Sequence, residues 1–223
     1  MVSSSLAVLV GVAQGARHAF EPDHLAAVTA LTTGERSSRR ALWLGASWGL
    51  GHATSILVVG GALTLAGARM PAGLATAFEL AVAAVLMGLG ARGVYRAVQD
   101  ERGGLPAAHA HGPDTHTHST AGEHVHLRGV PLAARPLGIG LLHGLAGTGA
   151  LTAALVVDLP TVADRLLYLA VFGLGSVFGM GALTLVAAPL LERLSTRNAH
   201  RLSGLAGLGS LGVGVAWAVA ALA

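Results

Sequence analysis

Hydropathy is arranged along this chain in six long apolar stretches, near residues 4 to 31, 41 to 67, 72 to 97, 137 to 158, 163 to 191 and 202 to 222. A helix needs about 20 apolar residues to cross the hydrocarbon of a bilayer, so each stretch is of spanning length. In lipid the backbone must satisfy its own hydrogen bonds, which leaves helices as the structure for such runs. The expected fold class is all-α: a polytopic membrane protein of six transmembrane helices. The composition fits that class, with 53% of the 223 residues hydrophobic, 11% charged and 32 glycines.

The absence of cysteine excludes disulfides, thiolate zinc sites and iron-sulfur clusters. Four dispersed methionines argue against handling of soft copper(I), and a formal charge of +3 is too small and scattered for a nucleic-acid partner. No charged residue precedes Arg17, so the positive region of a secretory signal is missing and the first stretch is expected to be a retained span. All fourteen basic residues are arginine. Connections one, three and five hold eleven of them against two in connections two and four, which predicts both termini outside the cytoplasm. The expected location is a bacterial plasma (inner) membrane.

Within this apolar chain the first stretch carries His18-Ala19-Phe20-Glu21-Pro22-Asp23-His24. Ionisable side chains at membrane depth cost about 2.5 to 3.5 kcal/mol each on insertion scales, and so point to function. In an unbroken helix His18 and His24 would face different directions. Pro22 lacks an amide donor and its ring meets the carbonyl of His18, so the first helix is expected to break or bend there, a kinked first helix turning His18, Asp23 and His24 toward one point and freeing a backbone carbonyl. Imidazole with carboxylate suits a divalent first-row metal. The alternative is a helix-end turn with solvated charges. At 1.5 Å per residue, His18 and His52 lie about 21 and 16 Å from opposite sides, both near the midplane. His52 is then a fourth ligand, or a histidine hydrogen-bonded across a helix interface. Glu21 belongs to the same cluster as a candidate relay, and Glu79 on the third span is either a relay or a carboxylate reaching the outer interface.

Hydropathy collapses over 99 to 135, where His109, His111, His116, His118, His124 and His126 form three His-x-His pairs among Gly, Pro and Thr. The segment reads as a His-rich cytoplasmic loop with metal-binding capacity, or as a polar linker whose histidines titrate near neutrality. His143 follows His18 by 125 residues, and Gly-Leu-Gly at 173 to 175 follows Gly-Leu-Gly at 49 to 51 by 124. A further match relates Gly88 to Gly90 with Gly207 to Gly209, offset by 119. Three spans per unit would make the halves inverted, a plan that recurs in secondary transporters with midplane sites. The expected organisation is a first three-helix repeat at 1-98, the loop at 99-135 and a second repeat at 136-223. Thr148 and Gly149 stand where the first unit has Asp23 and His24, so a single metal centre is expected.

The His-x-x-x-x-Asp-His spacing at His18, Asp23 and His24, with Leu50-Gly51-His52 after it, resembles the nickel/cobalt transporter family, in particular its shorter urease-accessory, nickel-permease type members. The resemblance implies metal recognition by His18, Asp23, His24 and His52. Longer members have eight spans and further acidic motifs, for which the region from His143 to Thr148 offers no carboxylate. The function expected is a permease for Ni²⁺, with Co²⁺ as a second cargo, His143 as auxiliary or gating ligand, no resident prosthetic group, and a cytoplasmic metallochaperone or urease/hydrogenase assembly factors as partners. The competitors are a membrane electron carrier with haem on paired histidines and a non-transporting metal sensor or assembly factor. No Gly-x-x-x-x-Gly-Lys-Ser/Thr or His-Glu-x-x-His motif is present, which argues against nucleotide-driven transport and metalloprotease activity and leaves the chain without an enzyme assignment.

Overall fold

The structure, a computed structural model, describes residues 4–32, 37–101, 124–127, 130–146, 159–192 and 196–223. Among them the elements are α1 (Ser4–His18), α2 (Pro22–Thr32), α3 (Ser38–Ala66), α4 (Ala72–Glu101), β1 (His124–Leu127), β2 (Val130–Ala133), α5 (Ala134–Leu145), α6 (Val162–Glu192) and α7 (Thr196–Leu222). Helices α3, α4, α6 and α7 are long and apolar enough to cross a membrane.

The first apolar stretch is broken where the proline predicts a break or bend. It is two separate helices joined by a turn at Ala19 to Glu21, in which the amides of Phe20 and Glu21 donate to the carbonyls of Arg17 and His18 at 2.9 and 3.1 Å. Pro22 is the first residue of α2, where its missing amide costs nothing. The carbonyl of His18 is thus engaged by Glu21 rather than freed as a ligand. The fourth stretch contributes α5, of 12 residues, while 147–158 lie outside the described residues.

The loop expected over 99 to 135 also differs. Helix α4 runs on to Glu101, and β1 pairs antiparallel with β2, His124 opposite Ala133 and Leu127 opposite Val130. The alternation His-Val-His-Leu before Arg128-Gly129 has the period of two that a hairpin needs. The rest of the loop, with His109, His111, His116 and His118, lies outside the described residues.

Helix ends follow local chemistry. Ser37 caps α3 by accepting from the amide of Arg40. At the other end Gly67 has φ +60° and closes the helix in the left-handed conformation, the amide of Ala68 donating to Leu63 at 3.0 Å. A π-helical turn at Ile56–Gly60 interrupts α3 one turn after His52. Thr161 caps α6 by accepting from the amide of Asp164 at 3.0 Å.

Packing is built on small residues. Helices α3 and α6 lie antiparallel at the centre, Gly49 against Val177 and Gly173 against Ala53. Helix α1 runs parallel to α6, Gly15 against Phe172 and Ser176. Helix α5 runs parallel to α3, Gly140 against Trp48 and Gly144 against His52. Helices α4 and α7 form an antiparallel pair through Gly90 and Gly207, and Ser210 Oγ donates to the carbonyl of Leu86 at 2.8 Å. Helix α2 packs against α4, α6 and α7. Such backbone approaches replace hydrophobic driving force when the solvent is lipid. The exterior matches: Leu9, Val58, Leu174, Phe178 and Leu205 are exposed, whereas His18, Asp23, His24, His52, His143, Ser176 and Thr184 are buried. Polar groups inside and hydrocarbon outside is the distribution of a multi-pass membrane protein.

Candidate metal site

The break between α1 and α2 places donors from two helix ends against two further helices. His18 is the last residue of α1, and Asp23 and His24 lie in the first turn of α2, where the Asp23 carboxylate offsets the positive helix pole. His52 comes from α3 and His143 from α5, held together by the Gly144 contact and by Ser55 Oγ donating to the carbonyl of Leu141 at 2.7 Å.

Five residues meet there. His18, His24 and His52 form one group and Asp23, His24 and His143 a second, each offering ligand atoms within 4.8 Å of one another. His24 belongs to both. The smallest circle enclosing three atoms at that spacing has a radius of about 2.8 Å at most, so an ion binding nitrogen at about 2.0–2.1 Å needs only a sub-ångström closure of the side chains. The imidazole centroids of His18 and His24 are 4.3 Å apart, those of His18 and His52 4.9 Å, and those of His24 and His143 4.6 Å.

The pairings among these groups leave donors over. Asp23 Oδ2 lies 2.8 Å from His143 Nε2 in a hydrogen bond, and Asp23 Oδ1 lies 3.0 Å from His24 Nδ1 without hydrogen-bond geometry. His18 Nδ1 meets the half-exposed Glu21 carboxylate at 3.0 Å, which turns the other ring nitrogen, Nε2, toward the cluster. A carboxylate on the far nitrogen is the usual way to fix a ligating imidazole. His18 Nε2, both ring nitrogens of His24 and of His52, Asp23 Oδ1 and Trp48 Nε1 are buried with no hydrogen-bond partner among the described residues. Each unpartnered buried polar group costs about 1–3 kcal/mol. Three histidines and a carboxylate thus bring unpartnered donors together in a set that could hold a divalent cation.

Two aromatic rings enclose the cluster, and neither stands out in the sequence. Trp48, fully buried, stacks on His24 at 5.2 Å and meets His143 edge-on at 5.8 Å. Phe172 faces His18 at 5.5 Å. The available signal was spacing, because Trp48 and Phe172 are separated by the same 124 residues as the Gly-Leu-Gly pair. Glu79 lies part-buried on α4 and belongs to neither group. His124 and His126 lie on β1.

Comparison with known proteins bears on this geometry. The family model described as NicO, High-affinity nickel-transport protein, matches residues 5–189. The chain is similar to the Urease accessory protein UreH of Bacillus sp. (strain TB-90), 28% identical over 182 residues that cover 78% of this chain and 73% of that protein. No solved structure matches.

Proposed function

This chain belongs to the NicO family of high-affinity nickel-transport proteins, and we propose that it carries Ni²⁺ across the plasma membrane as a gradient-driven permease, with Co²⁺ as a second cargo. It is a multi-pass membrane protein and not an enzyme. The observation that carries the mechanism is the buried cluster of unpartnered imidazole nitrogens beside one carboxylate, inside a bundle whose exterior is hydrocarbon.

A divalent ion gives up hydration on leaving water, and the cluster supplies the replacement. His18 Nε2, oriented by Glu21, His24 and His52 receive the ion in the first group. Asp23 and His143 draw it into the second, with His24 shared so that the ion is never without an imidazole. Asp23 supplies negative charge where the surroundings are least polar, and there the attraction is strongest.

Six passes in two inverted halves is the architecture we assign. Helices α1 and α2 form one pass, α5 with the following segment another, and α3, α4, α6 and α7 the rest. The glycine contacts support the duplication, since they exchange pairwise between halves. Gly15 against Phe172 answers Gly140 against Trp48; Gly175 against Val12 and Ala16 answers Gly51 against Leu137 and Leu141; Gly49 against Val177 answers Gly173 against Ala53. All keep the offset of 124 or 125. Helices α4 and α7 exchange at 117 rather than 119, through Gly90 and Gly207. The helix directions agree with alternating passes, and the arginine distribution supports an orientation with both termini outside. Ions released inside pass to the His-rich loop. The likeness to a urease accessory protein supports delivery onward to a metallochaperone or to assembly factors of a nickel enzyme.

The haem reading fits the site poorly, because imidazole rings 4.3–5.5 Å apart leave no slot for a macrocycle between them. The deciding experiment is ⁶³Ni²⁺ flux into proteoliposomes, with unlabelled divalent ions as competitors. Wild-type protein is expected to give saturable flux that His18→Ala and Asp23→Asn abolish. Unchanged flux in both variants removes the site.

A further inference from the structure

We propose that Phe172 and Trp48 are two lids that close the metal cluster from opposite faces of the membrane, Phe172 from the face where α1 begins and Trp48 from the face where α3 begins. The inference rests on the transport reading and adds the residues that keep the site from opening to both sides at once.

Position along the bundle is the first argument. Gly49 packs on Val177 and Ala53 lies against Gly173, so Trp48 and Phe172 stand about six residues, or about 9 Å, apart along the α3/α6 axis, with His52 at a level between them. Contact is the second. Each ring covers cluster members from its own side: Phe172 lies against His18, and Trp48 against His24 and His143. Both are buried, so each closes its side in this conformation.

The exchange between halves supplies the third. It carries His18 onto His143 and Phe172 onto Trp48, making the His18–Phe172 and His143–Trp48 contacts equivalent. A carrier that alternates between two openings needs one closure per side, and an inverted duplication yields two related closures from one.

The Phe172 lid carries a latch. Tyr168, one turn earlier on α6, stacks toward Phe172 with centroids 6.2 Å apart and donates its hydroxyl to Gln14 Oε1 on α1, one turn before His18. Ile56 and Leu169 complete this buried plug, and Ile56 opens the π-helical turn of α3. On the Trp48 side the exchange sets Leu44 and Ile139 in the places of Tyr168 and Gln14, side chains that form no hydrogen bond, and the indole Nε1 is unpartnered among the described residues. The two lids therefore differ in how they are held.

The chain has no cysteine, so His52→Cys introduces a single thiol inside the cluster for a membrane-impermeant, charged methanethiosulfonate applied to vesicles of each orientation. With both lids intact, labelling is slow from both faces. Phe172→Ala is expected to speed it by about tenfold or more from the α1-start face alone, and Trp48→Ala by a similar factor from the other face alone. Tyr168→Phe, which removes only the latch hydroxyl, should raise labelling on the first face. Tyr168→Phe and Trp48→Leu carry the test if an alanine variant does not accumulate. Labelling unchanged in the variants, or raised on the same face by both, overturns the lids. Nickel flux through wild-type protein in the same vesicles separates the two readings: normal flux with unchanged labelling refutes the lids and keeps transport, whereas face-specific labelling without flux keeps the lids and refutes transport.

Discussion

Replacing Gly144 with alanine tests whether the site depends on the approach of α5 to α3. A Cβ at Gly144 would stand 2.5 Å from the carbonyl oxygen of His52 and 3.0 Å from Cβ of Ser55, where ordinary contact begins at 3.4 Å. The first obstacle is backbone, so no rotamer change relieves it, and α5 must retreat by about 0.9 Å in a close-packed interior. Overpacking of this kind costs about 1–3 kcal/mol. His143 is the neighbouring residue, and a retreat of that size takes its 2.8 Å bond to Asp23 out of hydrogen-bond range. Loss of an interaction that orients a ligand lowers metal affinity about 10- to 100-fold. The control lies on the same helix: Gly138 has nothing within 4 Å of an added Cβ, and alanine there should be neutral or stabilising by up to about 1 kcal/mol. Equilibrium dialysis with ⁶³Ni²⁺ on purified protein, alongside thermal unfolding, reads both quantities. Gly144→Ala binding nickel as tightly as wild type, or Gly138→Ala losing as much, would refute the argument.

Glu21→Gln should weaken nickel binding about tenfold, by releasing the His18 ring rather than by removing a ligand, while Glu79→Gln leaves equilibrium binding unchanged; dialysis of the two variants side by side checks this, and equal losses would contradict it. Protons compete with the metal for imidazole, whose unperturbed pKa is about 6.5, so nickel flux should fall as pH drops from about 7.5 to 5. A flux level across that range counts against histidine ligation. Glutamine at His109, His111, His116, His118, His124 and His126 together should reduce the total nickel bound per chain but leave the tightest site intact, as a full binding isotherm will show.

Much of this protein could be read from its residues because the relevant physics is local. Hydrophobic run length selects helices, a proline ends one, and charge at membrane depth marks where chemistry is concentrated. The positions of α3, α4, α6 and α7, the break before Pro22 and the candidacy of His18, Asp23, His24 and His52 all follow from such arguments. The β1/β2 hairpin is not legible in the sequence, because alternation over four residues is a short signal inside a histidine-rich tract.

What tertiary structure decided is who faces whom. With 32 glycines, many helix pairings offer a small-residue ridge, and tripeptide spacing alone does not distinguish Gly90 against Gly207 from its neighbours two residues away. Backbone close approach does, since it requires two complementary surfaces and not one favourable segment. For the same reason only the assembled bundle puts His143 on Asp23 across 120 residues and sets Trp48 and Phe172 on opposite sides of the cluster. Burial energies are properties of a segment, whereas ligand geometry is a property of four helices meeting.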